Sequence, residues 1–315
     1  MKLSIVFICL IFSAGVSASN HNPVNCDQDP DAPRLQSYEP NIFGFTHDDN
    51  DVNYADFKLS LMYPMFHDGV YRNPSECRRP LGFLPYPYFA LTVRSAQYMK
   101  TRKSSPVVGK RFNPELFVRF WLPHDGYIDL GYGHESNGQS IDKEISFERE
   151  KQNFIKNNEN PEFAKDYISR GWDYWAVNWK QSYEVNKVKF TGYLKLRYFL
   201  DNGFLQGKAD EYNEWETGPV GKPRKYYDGV NVILKFNKEW QGLGVFQGIK
   251  VAFLYTTGYR DAFNNNTTRL ETTFNIANMP LMFWASRGYN SDLVDYYRRV
   301  SSYGIAFELT SFFNR

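Results

Sequence analysis

A histidine and a serine lie two positions apart in the segment "GYGHESNGQS", residues 131–140. In an extended strand, residues two apart project from the same face, so His134 and Ser136 are expected side by side. An imidazole beside a hydroxyl can remove its proton and make the oxygen a nucleophile that attacks an acyl carbonyl. The pair therefore indicates a candidate site for nucleophilic acyl chemistry.

A histidine that acts as a base needs a third group to fix its tautomer. The next strand-like segment, "GWDYWAVNWKQSY" at 171–183, carries Asp173 on its apolar face. If this segment pairs with residues 128–136, Asp173 reaches His134 and completes a serine–histidine–carboxylate triad. A His-x-Ser pair alone is more often a polar strand end, and the G-x-S-x-G elbow of soluble hydrolases does not occur around Ser136. The catalytic interpretation therefore depends on Asp173.

Alternating segments recur along the chain and predict an all-β fold. Apolar residues alternate with charged, polar or small ones in "YLKLRYFL" (193–200), "VNVILKF" (230–236), "TRLETTFNI" (268–276) and "YGIAFEL" (303–309). This period of two is the pattern of strands. Turn motifs such as "DNG" at 201–203 separate about a dozen such runs, many close to the length that a tilted strand needs to cross a bilayer.

A soluble β-sandwich or barrel would show the same alternation, so composition has to decide between them. Aromatic residues make up 18% of the chain, which is typical of aromatic girdles at two membrane interfaces. The formal net charge is only +2, which gives no indication of a nucleic-acid partner. Together with the strand lengths and the N-terminal segment described next, the pattern favours an antiparallel transmembrane β-barrel of about twelve strands.

The N-terminus has the features of a secretory signal. Lys2 precedes the apolar run Leu3–Phe12, and small residues at Val16 and Ala18 predict cleavage after Ala18, so that residues 1–18 are a signal peptide. Cys9 would be removed with the signal. Cys26 and Cys77 would remain in a compartment that permits disulfides, where one bridge between them is possible.

The rest of the chain divides into an extension, a barrel and a loop. Residues 19–50 contain four prolines and predict an irregular N-terminal extension, and residues 51–315 predict the barrel domain. Residues 141–170 are highly charged and lack alternation. They predict a long solvent loop with a short helix near 161–167.

The alternation also predicts which way the candidate site faces. One face of "GYIDLGYGHES" (126–136) carries His134 and Ser136 together with a leucine and a tyrosine, which suit lipid. The other face carries small and acidic residues, Asp129, Gly131, Gly133 and Glu135, which suit a packed polar interior. We therefore expect His134 and Ser136 on the outer, membrane-contacting face.

Several of these segments resemble the outer membrane phospholipase A family. Its pattern is His-x-Ser-Asn-Gly followed by Ser-Arg-x-Trp-Asn, which "GYGHESNGQS" and the downstream "SRGWD" match closely. Further similarity lies in "FKLSLMYPMF" (57–66), in "KSSP" and "NPELFVRF", and in "RGYNSDLVDYYRRVSSYGIAFEL" (287–309). The resemblance covers most of the chain from about Tyr38 onward.

The resemblance implies a twelve-stranded antiparallel barrel in the bacterial outer membrane. It implies a calcium-dependent phospholipase that hydrolyses sn-1 and sn-2 acyl esters of glycerophospholipids and lysophospholipids and is active as a homodimer. By position, Ser136 would be the nucleophile and His134 the general base. Asp173 stands where the best-known members have an asparagine that orients the histidine. An aspartate can take this role, because it stabilises the imidazolium as in ordinary triads.

The resemblance also implies a calcium site beside the serine. Its ligands would be the hydroxyl of Ser169, the backbone carbonyl of Gln139, where the family commonly has arginine, and Ser104 of the partner subunit. Oxygen ligands with open water positions suit calcium, and the ion would polarise the ester carbonyl. The insertion between Ser140 and Ser169 is longer than in the best-known members. It must therefore loop out without separating Gln139 from Ser169.

Two alternative functions stay open at this level. One is a passive pore or adhesion barrel, in which the His-Ser pair has no catalytic role and charges such as Lys195 and Arg197 line a lumen, although such charges can pair and fill a narrow barrel. The other is an acyltransferase that uses the same site with an acceptor other than water. Conductance without ester cleavage would identify the first, and an acylated product in place of free fatty acid would identify the second.

Overall fold

A computed structural model of the chain describes residues 35–50, 52–65, 85–99, 107, 109–122, 124–206, 222–240 and 244–309. All of them belong to a unit that spans Pro33–Arg315, and a separate unit, Met1–Ala32, lies outside the described residues. The predicted signal peptide, Cys26 and Cys77 are therefore also outside them.

The described residues form an antiparallel sheet of 13 strands, numbered in chain order. They are β1 (Gln36–Ser37), β2 (Ile42–Asp48), β3 (Asn53–Pro64), β4 (Tyr86–Met99), β5 (Arg111–Leu122), β6 (Gly126–Ser136), β7 (Gly171–Val185), β8 (Val188–Phe199), β9 (Gly229–Glu239), β10 (Phe246–Gly258), β11 (Asn266–Ile276), β12 (Met279–Gly288) and β13 (Val300–Glu308).

The sheet closes on itself. Consecutive strands from β3 to β13 pair along the chain, β13 pairs with β2, and β2 pairs with β3. The two-residue β1 pairs with β3 beyond the end of β2, so twelve of the 13 described strands form the wall of the barrel. Closure removes the free sheet edges that would otherwise expose unpaired backbone groups to lipid. The predicted antiparallel barrel of about twelve strands is confirmed.

The prediction of an irregular extension over residues 19–50 is wrong for its last part. Ile42–Asp48 forms β2 and closes the barrel between β3 and β13. Phe43 and Phe45 are exposed, and the alternate residues of the strand are buried. The period of two was thus present in "IFGFTHD", but the prolines upstream of it favoured an irregular segment.

Residues 141–170 connect β6 to β7, as the predicted long loop would, but they contain more helix than the sequence predicted. They contain helix α1 (Glu144–Lys156) and a 3-10 helix over Pro161–Tyr167, where the sequence predicted a short helix. The two helices pack together through Phe154, which is buried and lies edge to face against Phe163. None of the helices in the described part of the chain is long and apolar enough to cross a membrane.

The wall has an apolar outer face and a polar inner face, as the alternation predicted. Leu130 and Trp175 are 43% and 56% exposed on the outside, whereas Asp129 and Glu135 are each 1% exposed on the inside. Because the strands are hydrogen-bonded on both sides, the side chains alone decide which face meets lipid.

The two ends of the barrel differ in their connections. One end, here called the site end, carries the connections 137–170, 200–228 and 289–299. At the opposite end, Asn186–Lys187 and Ala277–Asn278 form two-residue turns with φ between 50° and 64°. Such left-handed pairs match the twist of antiparallel strands. Among the connections that the structure describes in full, the two longest, 137–170 and 289–299, are at the site end.

Candidate active site

The candidate catalytic residues lie on β6 and β7, which are neighbours in the barrel. The register pairs His134 with Asp173 and Ser136 with Gly171, so the pairing predicted from the sequence is confirmed. His134 Nδ1 lies 2.6 Å from Asp173 Oδ1. The two strands therefore bring the imidazole and the carboxylate into hydrogen-bond contact at the site end.

Both side chains are on the outer face, but they differ in exposure. The side chain of His134 is 16% exposed and that of Asp173 is fully buried. Leu130 precedes His134 on the same face, and Trp175 follows Asp173. The pair is thus directed to the apolar surface of the barrel and not to its interior, as the alternation predicted.

The contact with Asp173 fixes the tautomer of His134. A carboxylate only accepts hydrogen bonds, so Nδ1 must donate its proton to Asp173 Oδ1. In the neutral ring, Nε2 then carries a lone pair and can accept a proton. If Nε2 takes a proton, the adjacent carboxylate stabilises the resulting imidazolium.

Ser136 lies beside this pair on the same face. The position that a Cβ atom would take on Gly171 is 3.8 Å from His134 Nε2 and 3.7 Å from Ser136 Cβ. The imidazole and the serine therefore border one small space, which stays open because residue 171 has no side chain. Within the described residues Ser136 makes no side-chain hydrogen bond, so the structure brings Ser136 next to His134 without joining the two.

The base of the 141–170 insertion is held together by a buried asparagine. Asn137 is fully buried, donates from Nδ2 to the Ile168 carbonyl at 2.8 Å and accepts from the Arg170 N–H at 2.9 Å. Ile141 and Ile168 pair in parallel, and the Ser169 N–H donates to the Ile141 carbonyl at 2.8 Å. The insertion thus loops out while its two ends remain adjacent.

The bonds from Asn137 to Ile168 and Arg170, here called the clamp, join the two segments that carry two of the predicted metal ligands. Gln139 and Ser169 are carried by the two clamped ends, and the Gln139 N–H donates to Asn137 Oδ1 at 3.2 Å. Ser104 lies outside the described residues. Among the described residues no group of three or more histidine, cysteine or acidic side chains could hold a metal. The donors present here, a hydroxyl and a main-chain carbonyl, are neutral oxygens of the kind that calcium accepts together with water.

A buried charge cluster lies behind the site, inside the barrel. Glu135, between the histidine and the serine, points inward and is 1% exposed. Its Oε1 lies 3.4 Å from Arg111 Nε, and its Oε2 contacts Arg197 and Arg224. Arg224 also pairs with Asp228 at 2.7 Å. Burial opposes ionisation of Asp228, but Arg224 and Arg197 outweigh it and hold the pKa of Asp228 at about 2.

The sequence analysis did not identify two groups around His134 and Asp173. Tyr132 donates from its hydroxyl to Asp173 Oδ2 at 2.6 Å, and the backbone N–H groups of Leu205 and Gln206 reach the same oxygen. The sequence could have indicated Tyr132, because it lies two residues before His134 on the same strand face. For the segment that contains Leu205, the sequence showed only the "DNG" turn motif at 201–203, which does not predict a contact with Asp173.

Comparison with known proteins agrees with the sequence motifs, although no family model matches the chain. The chain is 26% identical over 194 residues to a phospholipase A1 of Salmonella typhimurium, covering 55% of this chain and 56% of that protein. It is 27% identical over 272 residues to a phospholipase A1 of Proteus vulgaris, covering 70% of this chain and 84% of that protein. The matched region thus spans little more than half the length of the Salmonella relative.

Two solved structures share the fold. An outer membrane phospholipase A from Escherichia coli superposes with a TM-score of 0.57 at 18% identity, covering 89% of this chain and 94% of that one. A Salmonella typhi outer membrane phospholipase, a dimer with bound calcium, gives a TM-score of 0.55 at 16% identity and covers 90% and 94%. Together the sequence relatives and the shared barrel confirm the predicted resemblance to the outer membrane phospholipase A family, and they support a bacterial outer-membrane location.

Proposed function

We propose that this chain, which resembles the outer membrane phospholipase A family in sequence and fold, hydrolyses acyl esters of membrane phospholipids. The substrates are glycerophospholipids and lysophospholipids, cleaved at the sn-1 and sn-2 positions. Ser136 is the nucleophile, His134 is the general base, and Asp173 orients the histidine. The observation that carries the proposal is the 2.6 Å contact between His134 Nδ1 and Asp173 Oδ1 on the outer face, with Ser136 beside it.

The position of the site explains how it would reach its substrate. A soluble hydrolase needs a pocket that extracts an ester from water, but a residue on the outer wall of a barrel already contacts lipid. The candidate residues lie at the ends of β6 and β7 that meet the 137–170 connection, on the outer face. An ester can then approach Ser136 by lateral diffusion in the membrane.

The reaction follows the steps of a serine hydrolase. Ser136 Oγ attacks the ester carbonyl while His134 Nε2 takes the hydroxyl proton. The carbon–oxygen bond to the glycerol breaks, and His134 gives this proton to the departing alcohol, which leaves an acyl group on Ser136. Water then attacks the acyl-enzyme and loses a proton to His134. The fatty acid departs, and the proton returns to the Ser136 oxygen.

Calcium and dimerisation are parts of the same proposal. The bound calcium of the Salmonella typhi dimer and the clamped ends of the insertion support a site at Gln139 and Ser169, with Ser104 of the partner subunit as a further ligand. When bound, calcium supplies positive charge to the ester carbonyl oxygen. Because one ligand would come from a second subunit, the monomer would have an incomplete site.

Side chains that fill the interior of the barrel argue against a passive pore. Tyr38 and Glu39 enter the barrel, and the Glu39 carboxylate bridges two strands on different parts of the wall, pairing with Lys58 at 3.2 Å and Lys195 at 2.5 Å. Tyr38 stacks on Phe117 with ring centroids 5.3 Å apart. Side chains and ion pairs that span the interior leave little room for a water-filled channel.

The proposal is tested by phospholipid hydrolysis in detergent micelles with calcium or with a chelator. Parent protein should release fatty acid in a calcium-dependent manner, and Ser136→Ala should reduce release to background while the barrel stays folded. Ser286→Ala, at a half-buried position of β12, serves as the matched control and should keep full activity. Undiminished hydrolysis by Ser136→Ala, or none by folded parent protein, would refute the proposal. Detection of free fatty acid as the product, and not of an acylated acceptor, also distinguishes hydrolysis from acyl transfer.

A further inference from the structure

A short segment after β8 folds back over Asp173 on the outer face. Residues 201–206, here called the strap, place the Leu205 and Gln206 N–H groups 2.7 and 3.1 Å from Asp173 Oδ2. The Gln206 side chain returns the contact, since its Oε1 accepts the Asp173 N–H at 2.8 Å. Gly203 lies so close that a methyl group added there would overlap the Asp173 carboxylate.

These contacts satisfy both oxygens of a carboxylate that has no access to solvent. Asp173 Oδ1 accepts from His134, and Oδ2 accepts from Tyr132, Leu205 and Gln206. An ionised carboxylate near lipid is costly unless it is hydrogen-bonded, because hydrocarbon offers no donors in place of water. The three donors on Oδ2 replace that water and leave Oδ1 directed at His134.

Tyr132 joins the strap to the barrel wall. Its hydroxyl donates to Asp173 and also accepts the Phe204 N–H at 2.9 Å. Its ring lies edge to face against Trp175 and Phe204, with centroids 5.1 and 6.2 Å away. Phe204 itself is 94% exposed, so the strap presents an aromatic side chain outward while its backbone faces the carboxylate.

We propose that Tyr132 and the strap are positioning residues that hold the Asp173 carboxylate, as an anion, against His134 on the lipid-facing wall. This inference rests on the proposed function. It adds that the orienting carboxylate is set by a tyrosine and by two main-chain N–H groups from residues 32 and 33 positions downstream. Without them, the carboxylate would rotate or lose its charge, and the His134 tautomer would no longer be fixed.

The first test removes the hydroxyl. Tyr132→Phe should lower kcat about 10-fold, the effect of losing one hydrogen bond to a charged group, and leave KM within about 2-fold. The rate at which an alkyl sulfonyl fluoride labels the protein should fall in parallel, because this rate depends on activation of the serine and not on phospholipid binding. Tyr303→Phe, at an exposed position on β13, should change neither quantity.

The second test displaces the strap. Gly203→Ala should lower kcat and labelling as Tyr132→Phe does, whereas Gly192→Ala, where an added methyl group meets only Leu234 at 4.0 Å, should not. Asn in place of Asp173 keeps an oxygen for His134, but its amide cannot accept from the strap N–H groups. In the Asp173→Asn background, Tyr132→Phe should therefore have an effect of less than about 2-fold on labelling.

The outcomes separate this inference from the proposed function. If parent protein is active and Ser136→Ala is inactive, but Tyr132→Phe and Gly203→Ala retain parental kcat and labelling, the positioning role is wrong and the hydrolase proposal stands. The same conclusion follows if Tyr132→Phe costs as much in the Asp173→Asn background as in the parent. If folded parent protein neither hydrolyses phospholipid nor takes the label, the proposed function itself has failed.

Discussion

His134 and Asp173 face each other directly across neighbouring antiparallel strands, and their Nδ1 and Oδ1 atoms are 2.6 Å apart. Directly opposed residues have Cβ atoms close enough for side-chain contact, so the register alone brings the two groups together. The register places the imidazole and the carboxylate opposite each other, and contacts from the strap and Tyr132 hold the carboxylate in that orientation.

Removal of the carboxylate should affect turnover and not folding. We expect Asp173→Ala to lower kcat by about 10²- to 10⁴-fold, because the unpaired imidazole can adopt the wrong tautomer and its cation loses a counterion. Initial rates of fatty-acid release measure the effect. Asp125→Ala, in a turn at the opposite end of the barrel, is the control and should behave as the parent. A loss below about 3-fold would mean that Asp173 does not orient the base.

Glu135 should stabilise the barrel from behind the site. It contacts Arg111, Arg197 and Arg224 and is 1% exposed. Glu135→Gln leaves three guanidinium groups with less negative charge, so we expect the free energy of unfolding in denaturant to fall by about 3–5 kcal/mol. Glu162→Gln removes an exposed pair and should cost less than about 1 kcal/mol. Equal effects of the two changes would contradict the structural role of Glu135.

Asn137 should control the response to calcium. Asn137→Ala removes the bonds that join the two ends of the insertion, so the proposed calcium ligands Gln139 and Ser169 would lose their fixed separation. We expect about 10-fold more calcium to be needed for half-maximal hydrolysis, with the rate at saturating calcium less affected. The matched control is Asn160→Ala, which removes only an exposed helix cap. If Asn137→Ala needed no more calcium than the parent for half-maximal hydrolysis, the clamp would have no role in the proposed metal site.

Asp292 should make stability depend on pH. Burial, with a contribution from nearby Asp295, raises the pKa of Asp292 to about 6 from 3.8, against the opposing Val294 N–H, Arg111 and Arg94. A carboxyl whose folded pKa is raised stabilises the fold below its unfolded pKa and loses that contribution as pH rises towards 6. Asp292→Asn should therefore match the parent near pH 4 and be more stable by about 1–2 kcal/mol at pH 7, allowing for its partial exposure.

Unfolding in denaturant at the two pH values measures this difference. Asp261→Asn, at an exposed position in another connection at the site end, should give the same free energy as the parent at both pH values. If the difference in free energy of unfolding between Asp292→Asn and the parent were the same at pH 4 and pH 7, the pKa of the Asp292 carboxyl would not be raised.

The outward face of the site was predictable because strand periodicity decides it. Once "GYIDLGYGHES" and "GWDYWAVNWKQSY" are taken as adjacent strands, the face of His134 follows from the period of two, and Asp173 falls on that face. Lipid-facing and interior positions of the wall follow in the same way, since only side chains distinguish the two sides of a closed sheet.

Other features depend on contacts between distant parts of the chain. Glu135 meets arginines from β5, β8 and the connection before β9, which no local pattern specifies. The strap reaches Asp173 from the connection between β8 and β9. Asn137 bonds to the carbonyl of Ile168, which is 31 positions away in the chain. Helix α1 was missed because its exposed charges outweigh the single buried Phe154 in the local pattern. Tertiary contact, and not local preference, fixes these elements.

Chemical identification of the nucleophile tests the central claim most directly. Folded protein should be labelled with an alkyl sulfonyl fluoride, digested and mapped by mass spectrometry, in the parent and in His134→Ala. The account predicts one adduct, on Ser136, that appears with calcium present and is lost in His134→Ala although that variant still migrates as a folded barrel. An adduct on another residue, or labelling of Ser136 that is independent of His134, would contradict it.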